Sequence, residues 1–418
     1  MARDEPIPVH HCVVPFPPVE QRPEPRTSPA VLAAALAAID PLAAADPEAV
    51  RVVRAPVRVN LIGEHTDYND GYVLPIAIDL AITIALLPTG DGEVTVTLAE
   101  DGETAGFRLD TIGPRRGHWI DYVAGTALAM ADAGLAVRGF RGVLASDLPQ
   151  GAGLSSSAAL ELASAFALSG GDEPATDRMT LARIAQRGEN VHVGVASGLM
   201  DQFASSLGEQ GAALLLDCRS LAYRTVPLDL RRVALIVCDS GSSRRLDGSA
   251  YNERHDQCAA AVSAIAATNP GVRSLRDVTP EMLAAAKDSL GPTLADRAQH
   301  VVTENVRVLD TVAALEANDP ERAGRRFSES HSSLRDLYAV SSPELDALVE
   351  IAEGVPGVLG SRLTGAGFGG CTVTLVRRES VEALRRAIGE RYSALTGLTP
   401  RLFEVAPARG AEAIHAAA

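Results

Sequence analysis

Between Asp147 and Leu168 the chain reads DLPQGAGLSSSAALELASAFAL, a glycine-rich loop that runs into the head of an alanine-rich helix. Gly151 and Gly153 permit backbone torsions and a close approach that side chains would block, and Ser155, Ser156 and Ser157 stand at the helix start. The first N–H groups of such a helix lack partners within it. With the helix dipole they form an anion site, where a serine hydroxyl can also meet a phosphate-bound magnesium ion. A plain loop before a serine-capped helix fits the same letters. The loop lacks the lysine of a Walker loop, and its G-L-S order differs from the G-x-S-x-G of a hydrolase elbow.

A strand feeding this loop needs a large core around it, and 418 residues with 46% apolar and 22% charged content supply one, as two domains or one large composite. The net charge, 38 − 53 = −15, argues against general polyanion binding, so no nucleic-acid partner is expected, although a local basic pocket for a nucleotide fits. Five cysteines (Cys12, Cys218, Cys238, Cys258 and Cys371) are scattered without a C-x-x-C pair, so reduced thiols and a cytoplasmic location are expected, with no zinc site and no disulfide framework. Residues 1–27, with seven prolines, read as a disordered arm. His10, His11 and Cys12 lie in that arm and receive no ligand role. No apolar run approaches the ~20 residues of a membrane span, so no membrane partner is expected.

From Ser28 to Ala45 an Ala/Leu pattern predicts a helix, interrupted at Asp40-Pro41. Strand-like runs at Val57–Ile62, Tyr72–Ile78 and Ala81–Leu87 flank the polar loop GEHTDYNDG, which packs Glu64, His65 and Asp67 into four positions. A solvated hairpin tip turning at Asn69-Asp70-Gly71 would account for it, but a sugar site does so better, because carboxylates and an imidazole address vicinal hydroxyls in fixed directions. Trp119–Leu135 reads as a helix, Val143–Ser146 as the strand feeding the glycine loop, and Thr180–His192 as a helix carrying Glu189. Asp201 in GLMDQF either caps the following helix or, if buried, needs a partner. Later come a strand (Val233–Cys238), helices (Ser249–Ala267, Ala295–Ala317, Pro343–Glu353) and a glycine-rich loop, residues 364–370, before the strand Cys371–Val376. Tyr251 sits near the head of the first of those helices with Arg254, His255 and Cys258 at helical spacing, which suits packing as well as binding.

The string RVNLIGEHTDYNDGYVLP resembles the galactokinase signature, and PQGAGLSSSAALELA is similar to the phosphate-binding motif of the wider GHMP small-molecule kinases. GENVHVGVASGLMDQF, LLLDCRSL, AYNERHDQC, HVVTENVRVL, SHSSLRDLY and GSRLTGAGFGGCTV resemble further galactokinase segments in the same order, so the likeness runs from about Val52 to the C-terminus. It implies an α+β, two-domain GHMP kinase fold: a ribosomal-protein-S5-like N-terminal domain over 28–207 and a ferredoxin-like C-terminal domain over 208–418, with the active site between them. It also implies a monomer that uses ATP and Mg²⁺ to phosphorylate D-galactose at its anomeric oxygen, giving α-D-galactose 1-phosphate.

By position the resemblance makes Asp201 the acceptor of the sugar's proton, with Arg58 pairing with it and stabilising the transferring phosphoryl group. It places Arg58, Glu64, His65, Asp67, Gly198, Asp201 and Tyr251 against the sugar. Gly151, Ala152, Gly153, Leu154, Ser155, Ser156 and Ser157 fall against the nucleotide, and Ser157 and Glu189 on Mg²⁺. The loop at 364–370 is expected to support its neighbours and not to catalyse. A kinase for N-acetylgalactosamine or another sugar is the first alternative, although Thr66, Asn69 and Asp70 look more like galactose enzymes. A non-catalytic galactose sensor is the second, and such sensors lack the Ser-Ala dipeptide present here as Ser157-Ala158. One departure stands out: Val57 occupies the place where galactokinases usually carry Gly, just before the arginine. Its strand-like run predicts an extended backbone with the side chain near the cleft.

Overall fold

The Val-, Ile- and Leu-rich runs form strands because branched side chains suit a pleated, covered surface, and the alanine-rich runs between them form helices. The computed structural model describes residues 27–148, 154–242 and 249–414. In chain order the first half holds α1 (Pro29–Ile39), α2 (Pro41–Ala45), β1 (Arg51–Asn60), β2 (Tyr72–Val73), β3 (Pro75–Thr89), β4 (Glu93–Leu98), β5 (Thr104–Arg108), α3 (Ile120–Asp132), β6 (Gly139–Ser146), α4 (Ser156–Leu168), α5 (Arg178–Gly188) and α6 (Met200–Leu207). The second half holds β7 (Ala212–Asp217), β8 (Tyr223–Pro227), β9 (Val233–Asp239), α7 (Ser249–Ala266), α8 (Pro280–Glu316), α9 (Pro320–Asp336), α10 (Pro343–Glu353), β10 (Val358–Thr364), β11 (Cys371–Arg377), α11 (Val381–Thr396), β12 (Arg401–Val405) and β13 (Glu412–Ile414).

Three sheets organise these elements: a six-stranded sheet ordered β13-β1-β3-β6-β4-β5, a four-stranded sheet ordered β10-β11-β9-β12, and a three-stranded sheet ordered β2-β7-β8. Helix α4 packs across β1 and β3, and α6 packs beside it on the same strands. The core between the first sheet and α3, α4 and α5 is apolar and continuous, with Val53, Val59, Ile76, Ile84, Phe140, Leu162 and Phe166 fully or almost fully buried. A second layer forms where β9 and β11 meet α10 and α11 around Ile236, Ile351, Leu384 and Tyr392.

The helix expected over Ser28–Ala45 breaks at Asp40, whose carboxylate accepts hydrogen bonds from Leu42 N (2.8 Å) and Ala43 N (3.3 Å) and so caps α2. The helix expected from Ala295 begins earlier, at Pro280, and bends at Gly291-Pro292, where Gly291 is left-handed with φ 67°. Val57 is extended within β1, as β-branching favours, but its side chain is wholly buried in the main apolar core and does not stand in the cleft. Gly151, Ala152 and Gly153, and residues 1–26 of the arm, lie outside the described residues. The arm's last residue, Thr27, is buried and donates to Asp147 Oδ1 at 2.7 Å. Cys218, Cys238, Cys258 and Cys371 take part in no disulfide, and among the described residues no helix is long and apolar enough to cross a membrane.

Candidate active site

Near the end of β1 the register with β3 shifts: Pro56 faces Ala81 but Arg58 faces Ala77, so two steps on β1 span four on β3. The shift releases two backbone groups from the ladder. Arg58 N donates to Leu154 O at the end of the glycine loop (3.4 Å), and Pro56 O accepts from Ser205 Oγ on α6 (2.6 Å). The strand is thereby tied to both elements it must serve. Arg58, only 4% exposed, donates through Nε to Asp201 Oδ1 at 2.7 Å, and Asp201, 25% exposed, sits in the first turn of α6, where the helix dipole favours an anion. The N-cap position of α6 belongs to Leu199, so Asp201 is not the cap. Among the described residues Arg58 Nη1 is buried without a hydrogen-bond partner, which leaves a guanidinium N–H for an incoming oxyanion.

Ser155 occupies the N-cap position of α4 in a left-handed conformation, φ 60° and ψ 50°, and makes no capping hydrogen bond. Its hydroxyl donates instead to Asp201 Oδ2. A non-glycine residue held at positive φ is strained, and here the strain aims a hydroxyl at the carboxylate. Leu154 is buried, Ser156 is exposed at the first helical position, and Ser157 is half-buried behind it.

Helix α5 ends in a single π-helical turn, Glu189–Val193, in place of the α-helix expected through His192. Such turns widen a helix and redirect a side chain. The turn is reached where α3 and α5 touch at Gly125 and Gly188, so closely that a Cβ on Gly188 would lie 2.8 Å from Gly125 backbone atoms. Glu189 then points inward and is 5% exposed. Its Oε2 accepts from Ser197 Oγ (2.5 Å) and Gln202 Nε2 (3.0 Å), and the Ser157 side chain is near enough to the same carboxylate to lower its pKa. Burial holds the Glu189 pKa above the ordinary carboxylate range. Among the described residues no group of three or more His, Cys, Asp or Glu side chains is placed to hold a metal ion by itself. A lone carboxylate with one hydroxyl suits magnesium, which keeps waters and takes phosphate oxygens for the rest of its shell.

The polar loop after β1 closes over this floor. Thr66 Oγ1 lies within hydrogen-bond reach of Gly63 O (2.7 Å) and Tyr72 O (2.6 Å), which pins the loop's neck. Glu64, buried, pairs with Arg362 and accepts from Gly365 N at 3.0 Å, so its carboxylate is held by the second glycine-rich loop. His65 adopts φ 63°, meets Tyr68 Oη through Nδ1 at 2.9 Å, and has its pKa pushed down to about 3, first by burial and then by His300. Among the described residues its Nε2 has no hydrogen-bond partner. Asp67 is pushed up to about 7, first by burial and then by the charge of Asp201. It presses on Gly198, where a Cβ would stand 1.7 Å from Asp67 Oδ2, so only glycine fits. The Tyr251 ring lies 5.8 Å from His65 and 5.6 Å from Tyr68, with its hydroxyl toward the Gly198 N–H.

Arg58, Asp67, Gly198, Asp201, Tyr251 and His65 are thus linked by successive contacts, with Ser155 on Asp201 and Ser157 beside Glu189, while Glu64 is engaged by Arg362 at the base of the loop. Sequence reasoning missed Ser197, Gln202, Glu161, Arg362 and Tyr338. Two of these left a trace, since Gln202 follows Asp201 directly and Glu161 stands four residues after Ser157, one helical turn away.

Three family models match the chain: the galactokinase galactose-binding signature over 43–88, the GHMP kinases N terminal domain over 121–209 and the GHMP kinases C terminal domain over 311–394. A galactokinase of Roseiflexus sp. (strain RS-1) is 49% identical over 352 residues, covering 84% of this chain and 90% of the relative. A galactokinase of Chloroflexus aggregans is 42% identical over 367 residues, 88% of this chain and 94% of the relative. Among solved structures, Lactococcus lactis galactokinase complexed with galactose superposes with a TM-score of 0.82 at 36% identity, over 87% of this chain and 94% of that one. Methanococcus jannaschii mevalonate kinase, at 18% identity and a TM-score of 0.62 over 86% and 98% of the two chains, shares the fold.

Proposed function

The chain belongs to the galactokinase family of GHMP kinases, and from that premise we infer that it transfers the γ-phosphate of ATP to the anomeric hydroxyl of D-galactose, giving α-D-galactose 1-phosphate and ADP. The observation that carries the reading is the Arg58–Asp201 pair, a buried guanidinium against a half-buried carboxylate, set beside the head of α4 and near the loop bearing His65 and Asp67. Asp201 accepts the proton of the anomeric hydroxyl as that oxygen bonds to the γ-phosphorus and the bridging oxygen leaves with ADP. Arg58 keeps Asp201 oriented through Nε and offers its unpaired Nη1 to the charge on the phosphoryl oxygens.

His65, Asp67, Gly198 and Tyr251 hold the sugar's hydroxyls, joined by Arg58 and Asp201, with Glu64 at the loop base. The head of α4, with Ser155, Ser156 and Ser157 after Gly151, Ala152, Gly153 and Leu154, cradles the nucleotide phosphates through its free N–H groups and dipole. Glu189 and Ser157 fit Mg²⁺, which when bound neutralises charge on the phosphates. We further propose a monomer in the cytoplasm, in keeping with a site built from one chain and with four cysteines outside any disulfide among the described residues. The division near residue 207 is proposed on the separate six- and four-stranded sheets.

The test is ADP release with a panel of hexoses and N-acetylhexosamines, run with the parent and Asp201→Asn. Galactose should give the highest kcat/KM, and Asp201→Asn should retain galactose binding while losing far more than tenfold in turnover, a factor worth only ~1.4 kcal/mol of barrier. Residual turnover within that factor would mean that another group takes the proton. Binding of both galactose and ATP without ADP release from any sugar would replace the kinase reading with that of a sensor.

A further inference from the structure

Behind the proposed metal carboxylate lies a polar arrangement that cannot touch either substrate. Gln202, wholly buried, donates from one nitrogen to two carboxylates: Glu189 Oε2 at 3.0 Å and Glu161 Oε2 at 2.9 Å. Glu161 is also wholly buried on α4, and among the described residues no cationic side chain pairs with it. Among the described residues Glu161 Oε1 and Gln202 Oε1 have no hydrogen-bond partner. Two orphaned polar atoms in a buried position are costly, and an apolar pair of the same volume would pack there without that cost. A polar pair so placed calls for a role, and its one contact of consequence is Glu189.

Resting on the reading of Ser157 and Glu189 as the magnesium ligands, we propose that Gln202 is a positioning residue for the metal carboxylate. Its amide, anchored on α4 by Glu161, fixes Glu189 Oε2 and with it the direction in which the carboxylate meets Ser157. The anchor of the brace and the second proposed metal ligand share one helix, because Glu161 lies one turn after Ser157 on α4. Gln202 also follows Asp201 on α6, so one helical turn sets both the proton acceptor and the metal ligand. A partner that orients a metal-binding group through a hydrogen bond is the usual means of holding such a ligand in one direction.

The experiment compares Gln202→Leu, Glu161→Leu and Glu161→Gln with the parent and with Glu189→Ala as control. Magnesium dependence of turnover is measured beside Mn²⁺ binding to the enzyme–ADP complex, followed by electron paramagnetic resonance. Gln202→Leu should raise the magnesium needed for half-maximal turnover and weaken Mn²⁺ binding by roughly tenfold, with galactose KM within about twofold. Glu161→Leu should move the same two quantities, and Glu161→Gln, which keeps shape and an amide-compatible oxygen, should restore most of the loss. If Gln202→Leu does not fold, Gln202→Met, which keeps the chain length, carries the same expectation. Should Glu189→Ala shift both metal titrations while the Gln202 variants leave them unmoved, the positioning role is overturned and the metal site stands. Should Glu189→Ala shift neither, the metal assignment fails and the brace falls with it.

Discussion

Asp67 carries a pH signature that a single substitution isolates. Its carboxyl is raised to about 7 in the folded chain by burial and by Asp201, against 3.8 when free. Below the free value the group is neutral in both states and costs nothing. As pH rises towards 7 the unfolded chain sheds a proton that the folded chain retains, so folding loses stability across that window and the full cost persists above it. Asp67→Asn removes the titration while keeping the shape beside Gly198. The variant should match the parent in urea unfolding at pH 4 and exceed it at pH 8, with the gain growing between. A gain of equal size at both pH values would mean that packing, and not charge, sets the difference. The arrangement suits a sugar-binding carboxyl, because hydroxyl donors from the ligand supply what the protein withholds.

At the scale of elements, β1 decides where Arg58 points. The guanidinium is aimed by the register shift against β3, by Ser205 holding Pro56 O and by the ion pair with Asp201, and none of these involves the Val57 side chain. Val57 is buried in the core on extended backbone, so Val57→Gly should empty a packed position and loosen the strand, costing about 2–4 kcal/mol of stability. The kcat/KM for galactose should change by less than about tenfold, or ~1.4 kcal/mol. A gain of two orders of magnitude would show that the valine holds Arg58 away from its working position. The contrast also marks what the sequence makes legible. β1, β3, α4 and the loop holding Glu64, His65 and Asp67 are local patterns, each readable from periodicity and turn residues within a few positions. The ion pair of Glu64 with Arg362, the bridge of Gln202 to Glu161 and the hydroxyl contact of Tyr68 with Tyr338 join residues 298, 41 and 270 positions apart, and no local period encodes such pairings. The π-helical turn at Glu189 escaped for a related reason: its letters are those of an ordinary helix end, and the backbone widens only where α3 crowds α5.

Across the whole molecule, the two halves exchange strands. β2 from the first half pairs with β7 from the second, and β13, at the far end of the described chain, returns to pair with β1 as the outer strand of the six-stranded sheet. The returning tail also grips the end of α6 and its neighbours: Ala411 N donates to Ser205 O (2.8 Å), Gly410 N to Gly208 O (2.8 Å) and Ala408 N to Ala77 O (2.9 Å), while Arg178 reaches Ala411 O. Helix α6 has only eight residues, too few to be stable alone, and it bears Asp201 and Gln202 in its first turn. A chain ended after Val405 should therefore lose stability and catalysis together. The three backbone hydrogen bonds named above, at about 1 kcal/mol each, together with the lost β13–β1 ladder predict a fall in Tm of at least about 3 °C, and the uncovered edge of β1 predicts a tendency to associate through it. Turnover should fall more than galactose affinity, because the loop carrying His65 and Asp67 is held from the other side by Glu304, which accepts from Gly63 N, and by Asn305, which accepts from Tyr72 N. Thermal melting and steady-state kinetics on the shortened chain decide the matter. A parent-like Tm with parent-like kcat would mean that α6 keeps its place without the tail, and a loss of galactose affinity as large as the loss of turnover would mean that the tail supports the site as a whole and not α6 in particular.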